Sequence, residues 1–454
     1  MKAVVMILTL ASLSANATLN PLFPRGEEIE QIKVPGSERP EICVIPKHLK
    51  ANYSEEDFKE EKKLCEMNFY ENVAVCPKMN STNPGLDIHK IPKNYTMKQV
   101  VDNNCVIKVA KNKSGKVKNI AKKIAKYKLS TSCSYTPSIL SYYHLSRFFG
   151  NILNVPPAVL RTVDLKNHLA WGRLALSKAK TGSTIRQTWQ GLYSQLSAGP
   201  ASSKRDLLLT DNADQSYGAL LQTASHEEFN KTFFNGGAGN VGRTTNLRDK
   251  NPVIASLAKP GPVNVGREFT AANVQKMVQL RDAANMIVMD TLLNQQDRMG
   301  NIHSIDRYYY LDAQDRNEAG QPKLKIAEDL EKDEVSKLGA VSVSEVLLKD
   351  NDCGVAKDNI DKKVGLDKKV AHIDPNTYSR LLQLNAMMDT PETNKFFSEE
   401  LLFTPKDYAS VRANLAGLVN ELHAACVSGR LSLDLDLQAH FTGQKSSAGC
   451  ELKE

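Results

Sequence analysis

Hydrophobic positions along the chain recur at two periods, and the elements they predict come in a definite order. Val274, Met277, Val278, Ala284, Ile287, Val288 and Leu292 share one helical face, so a long helix is expected, with Thr270 as its N-cap. Ile139, Leu140, Tyr143, Leu145 and Phe148 mark another helix over 138–149, entered through Ser134, Tyr135, Thr136 and Pro137 and stopped by Gly150. Val155-Pro156-Pro157-Ala158-Val159-Leu160-Arg161 follows as an extended run. Residues 308–311 and 323–326 read as strands around a polar hairpin that bends at Gly320 and Pro322. Residues 346–348 form a short apolar strand, and the tail from Pro375 reads as helices over 381–388, 408–422 and 431–437. Residues 105–109 alternate like a strand and Lys113-Ser114-Gly115-Lys116 reads as a turn. Beyond it the pattern is two-sided: Val117, Ile120, Ile124 and Tyr127 fit a helix face, whereas 125–130 fits a strand.

The first residues change the picture. Met1 and Lys2, an apolar run over 3–13, and Ala15-Asn16-Ala17 have the layout of a cleaved secretory signal, residues 1–17. That run is too short to span a bilayer and no other segment matches it, so no membrane span is expected in the mature form. The expected location is secreted or periplasmic, or the lumen of a secretory pathway. Eight cysteines, an even number, then suggest disulfides, with five of them before residue 134. None lies in a Cys-x-x-Cys pair, which argues against structural zinc. Residues 18–100, rich in Pro, Asn, Glu and Lys, read as an irregular extension stapled by Cys43, Cys65 and Cys76. A composition of 41% hydrophobic and 24% charged residues is that of a globular protein, and the net charge of +8 comes with no aromatic-laced basic patch. Nucleic acid is therefore not an expected partner.

Candidate chemistry sits where the long helix ends. Its polar turn presents Asp297, Arg298 and Asn301 just before a strand-like run at Ile302. Phosphoryl transfer needs a carboxylate to orient the attacking hydroxyl and a nearby oxygen ligand for the nucleotide's metal. The plainer alternative is a helix ending in a polar turn, with Gly300 as its stop signal. After the strand at 346–348 come Asp350, Asn351, Asp352, Cys353 and Gly354, read either as metal-binding carboxylates or as an Asx-rich turn. Residues 108–128 carry nine lysines and no acid, read either as a solvated face or as the source of one phosphate-binding lysine. Gly237-Ala238-Gly239-Asn240-Val241-Gly242 matches the dinucleotide fingerprint by letter. It follows no buried strand and runs into polar residues, so a flexible loop is expected there.

Asp-Arg followed by Asn, the helix with Tyr143-His144-Leu145-Ser146-Arg147-Phe148-Phe149-Gly150 and the Val-Pro-Pro strand, and the carboxylate after 346–348 keep one order. Together they resemble the atypical secretory-pathway kinases of the Golgi casein kinase type and, more distantly, phosphoinositide-kinase-like and bacterial toxin kinases. The resemblance implies an α+β, two-lobed protein-kinase-like fold with a small β-rich lobe over 101–170 and a large helical lobe over 171–454. It implies ATP with Mg or Mn, and a hydroxyl acceptor, with a protein as the substrate class. Asp297 would orient the acceptor, Asn301 and Asp350 would hold metal with Asp352 beside them, and Lys128 (or Lys126) would meet phosphate. Two departures stand: the metal-binding Asn comes four residues after Asp297 instead of five, and the helix carries no glutamate to pair with the lysine. The second leaves room for a pseudokinase or a secreted binding module on the same fold.

Overall fold

Apolar runs too short to show a period become strands by pairing with distant partners. The computed structural model describes residues 28–46, 49–110, 117–224, 227–444 and 449–450. The signal at 1–17 and the turn at 113–116 lie outside the described residues. In chain order, β1 (Glu28–Ile32), β2 (Glu41–Ile45), β3 (Val73–Pro77) and β4 (Gly85–Lys90) come first, then a small hairpin of β5 (Lys108–Ala110) and β6 (Val117–Asn119). There follow β7 (Lys123–Lys128), β8 (Ala158–Asp164), β9 (Gln215–Gln222), β10 (Glu228–Phe229), β11 (Ile302–Arg316), β12 (Pro322–Ala327) and β13 (Val341–Leu348). One antiparallel sheet runs β1-β2-β8-β9-β7-β4-β3. A second joins β10, β12 and β13 to the long strand β11.

The irregular extension expected over 18–100 is corrected from residue 28 onward. Four of the seven strands of the large sheet come from it, together with the helix Glu55–Cys65. The reason is length and partner: β2 and β3 have five residues each, and β2 pairs with β8 while β4 pairs with β7. Such strands are stabilised by cross-strand neighbours that a local reading does not contain. The large sheet also crosses the expected boundaries at 100/101 and 170/171, since its strands run from Glu28 to Gln222. The two-sided segment resolves as strand β7, because it lies between β4 and β9 with Ala125 and Tyr127 in a core.

One face of the sheet packs on the helices Glu55–Cys65, Leu165–Lys178 and Thr184–Ser197, with Trp189 fully buried among them. The other face meets a larger core built around the helices Thr136–Phe148 and Ala271–Leu292 and the C-terminal helices Pro375–Met387 and Pro405–Val427. Every residue of Thr136–Phe148 is buried. Its polar side chains are satisfied inside: Tyr142 donates to Asp290 at 2.6 Å, Tyr143 to Glu61 at 2.6 Å, and Arg147 grips Asp57. Thr270 caps Ala271–Leu292 by accepting from the Asn273 amide, as its position implied. Two local expectations are corrected. Gly239–Lys250 is a helix instead of a loop, with Thr244 and Leu247 on its buried side, and Gly237, at φ +112°, packs against the backbone of its first turn. In the tail, 431–436 is not helical and the last helix is Leu437–Thr442.

The eight cysteines pair as Cys43–Cys65, Cys76–Cys105, Cys133–Cys353 and Cys426–Cys450. Among the described residues no helix is long and apolar enough to cross a membrane. Four disulfides suit an oxidising compartment.

Candidate functional site

Lys126 and Lys128 are two apart on β7, so both side chains leave the sheet on the same face, opposite Ala125 and Tyr127. The chain after β13 comes to meet them. Asp350 adopts a left-handed φ of +52°, which aspartate tolerates better than most residues. The turn it makes sends Asp350 and Asp352 to one side and Asn351 to the other. Lys128 Nζ donates to Asp350 Oδ1 at 2.7 Å and to Asp352 Oδ2 at 2.9 Å. Lys126 Nζ stands 3.8 Å from the same Asp350 oxygen. Asp352, beside it, is 2% exposed and does not face solvent. Asp350, with a side chain 26% exposed, is the open member of the pair.

The loop is clamped from the helix side. Tyr135 N donates to Asp352 O, Ser138 Oγ donates to Asn351 O at 2.6 Å, and Cys133–Cys353 ties the stretch after β7 to the residue after Asp352. Gly354 passes so close that an added Cβ would stand 2.6 Å from Ser138 Oγ and 2.9 Å from Leu293 O. Only glycine fits that approach without displacing the loop.

The turn after Ala271–Leu292 locks onto the same loop. Gln296 N donates to Cys353 O, and Gln295 Oε1 accepts from Asp297 N at 3.0 Å. Arg298 donates to both oxygens of Asp290, at 2.7 and 2.9 Å, and to Asn351 Oδ1 at 2.8 Å. Arg298 thus points inward and binds the two loops together, while Asp297 is left toward the lysine–aspartate cluster. Asn301 Nδ2 is spent on Asp297 O at 2.7 Å. Arg243, directly after the segment read as a flexible loop, donates to Met299 O at 2.8 Å.

Charge in this cluster is strongly coupled. Lys128, then Lys126 and Lys78, hold the Asp350 carboxyl well below the usual carboxylate range, against burial. Burial and the negative charges of Asp352 and Asp350 push Asp297 up, while Arg243 and Arg298 oppose this. Burial lowers Lys126 to about 8, with Lys128 and Lys123 adding to the effect. The charges of Asp352 and Asp350 raise Lys128 above the ordinary lysine range in spite of its burial.

Lys128, Lys126, Asp350 and Asp352 are therefore together, with Asp297 close enough to sense both carboxylates. Sequence reasoning missed Lys78, Asp290, Asn351 and Arg243. Of these, Lys78 left a trace, as the polar residue ending the apolar run 73–77. Among the described residues, no group of three or more His, Cys, Asp or Glu is arranged to hold a metal ion. Asp350 and Asp352 make a smaller, oxygen-only pair, whereas the Asn301 side chain bonds to Asp297 O. That suits Mg or Mn, which accept one or two carboxylates and take the remaining ligands from water and phosphate. No protein-family model matches the chain, and no curated protein matches it.

Proposed function

We propose that this protein transfers a phosphoryl group from ATP to a hydroxyl, that of a protein being the expected acceptor. The observation that carries the reading is the buried Lys128 ammonium held between Asp350 and Asp352, beside the turn that presents Asp297. The order of elements supports it too: the lysine-bearing β7, the buried helix Thr136–Phe148, strands β8 to β10 with helices between them, the long helix Ala271–Leu292 followed by the turn with Asp297, then, after β11 and β12, the strand β13 that leads into the carboxylates. That order is the one on which the resemblance to a two-lobed kinase-like fold rests.

In this reading Asp297 accepts a hydrogen bond from the acceptor hydroxyl and aims its oxygen at the phosphate. Its raised pKa makes it a better proton acceptor than an ordinary aspartate. Asp350 and Asn301 would hold Mg or Mn, with Asp352 fixing Lys128 from behind. The metal ion, when bound, neutralises charge on the phosphate oxygens. Lys128, held between Asp350 and Asp352, would supply positive charge to the phosphates from that position. Asp297→Asn and Asp350→Asn should each lower labelled-phosphate transfer by on the order of 10²-fold or more. Unchanged transfer in both variants would show that the residues are wrongly assigned.

A second reading has its own observation. The helix Thr136–Phe148 carries no acidic residue, and where it meets the carboxylate loop it offers Ser138 instead. A nucleotide-binding module without transfer would bind ATP and Mn in a calorimetric titration yet release no labelled phosphate to any acceptor.

A further inference from the structure

Three buried ammonium groups face two carboxylates in this cluster. Lys78, Lys126 and Lys128 are 9%, 8% and 4% exposed. Lys128 occupies Asp350 and Asp352 at hydrogen-bond distance, which leaves Lys126 at 3.8 Å from an oxygen already taken. Lys78 has no ion pair or side-chain hydrogen bond within the described residues, although Lys128, Asp350 and Asp352 all act on its charge. Its place is nonetheless fixed. Lys78 N donates to Gly85 O at 2.9 Å across the β3–β4 hairpin, and its carbonyl accepts from the buried Trp189 Nε1 at 3.0 Å. A cation held nine-tenths buried without a counter-ion is costly unless an anion completes the site.

We propose that Lys78 and Lys126 form a cradle for two or more consecutive phosphates, one that binds a di- or triphosphate chain without a metal ion. Lys78 follows β3 level with Gly85 of β4, which pairs with Lys128 of β7, so the Lys78 and Lys126 backbones are two strand spacings across and two residues along from each other, roughly 12 Å apart. Two side chains converging from that separation span a phosphate chain better than one phosphate. Lys128 remains between its aspartates, so the cradle's charge is additional to the residues already assigned. This inference rests on the phosphoryl-transfer reading for its ligand class, but its test does not need transfer.

The test is a calorimetric titration of the intact protein in EDTA with orthophosphate, pyrophosphate, AMP and ATP. Pyrophosphate and ATP should bind at least about 10-fold tighter than orthophosphate and AMP, with an affinity that falls steeply with salt. Lys78→Met and Lys126→Met should each weaken pyrophosphate by about 10- to 100-fold, and Lys78→Arg should retain most of it. A thermal melt separates this from a structural role. Removing an uncompensated buried cation should leave Tm unchanged or raise it, whereas loss of a structural lysine would lower Tm and affinity together. Equal affinity for orthophosphate and pyrophosphate, or no binding in EDTA, would overturn the cradle even if metal-dependent transfer is found. Lysine-dependent binding of pyrophosphate with no transfer under any metal condition would uphold the cradle and sink the kinase reading.

Discussion

Arg298 shows how one residue carries two jobs that its sequence position suggests only one of. It stands next to Asp297 in the turn, yet its guanidinium is turned inward to Asp290 and Asn351 and lies over the Tyr142 ring, 5.3 Å from the centroid. The Arg298 and Asp290 side chains are 3% and 1% exposed, so neither charge can be satisfied by water if its partner is lost. Breaking such a pair by removing one member typically costs about 3–5 kcal/mol, whereas replacing both by apolar groups costs much less. Arg298→Met or Asp290→Leu alone should therefore destabilise by roughly that amount in urea unfolding. The double variant should be more stable than the sum of the two predicts. Strict additivity would mean that the pair does not act as a unit. Arg298→Lys should recover little, because an ammonium cannot reach two Asp290 oxygens and Asn351 in one plane.

At the scale of elements, the helix Leu165–Lys178 docks on the sheet through a histidine. His168 is fully buried, with Nδ1 2.7 Å from Ser216 Oγ and its ring against Tyr127 and Trp171. Among the described residues Nε2 has no hydrogen-bond partner. Burial alone lowers its pKa to about 3, so it stays neutral in the folded protein. Between the unfolded value of about 6.5 and that folded value, the unfolded chain takes up a proton that the folded one refuses. Stability thus falls as pH falls through this window, by about 2 kcal/mol at pH 5 for this one group. His168→Leu should be less stable than the wild type at pH 7, and the gap should shrink by about that amount at pH 5. A gap that stays constant in urea titrations at the two pH values would show that His168 is not buried in neutral form. Elements with a clear period, such as Ala271–Leu292 and β12, were legible locally. β2 and β3 were not, because apolar runs of four or five residues fit a helix core or a strand equally well.

Over the whole molecule, Cys133–Cys353 is the widest constraint. It joins residues 220 apart, whereas Cys43–Cys65 joins residues 22 apart. In the chain-entropy account the wider loop contributes about 5.4 kcal/mol and the narrower about 3.4. The Cys133→Ser/Cys353→Ser protein should therefore lose more stability than the Cys43→Ser/Cys65→Ser protein, read as a larger drop in urea midpoint at equal m-value. The reverse order would mean that the packing of Thr136–Phe148 already restricts the unfolded chain. The same bond holds Asp352 under Lys128, so its removal should also weaken the nucleotide binding proposed above, which opening Cys43–Cys65 should not.

The amino-acid sequence alone determined the elements whose periodicity is long enough to read: both buried helices, the capping Thr270, the hairpin strands and the short strand ahead of Asp350. It also placed Asp297, Lys128, Asp350 and Asp352 in their order along the chain and named an even cysteine set. Tertiary structure decided what touches what. Lys128 and Asp350 are 222 residues apart, and only the pairing of β7 between β4 and β9 brings that lysine onto the carboxylate loop. Lys78 joined them because the β3–β4 hairpin closes on the same sheet, a pairing that no local pattern encodes. Local propensity acts over a turn or a strand, whereas burial, charge coupling and strand partnership act through space.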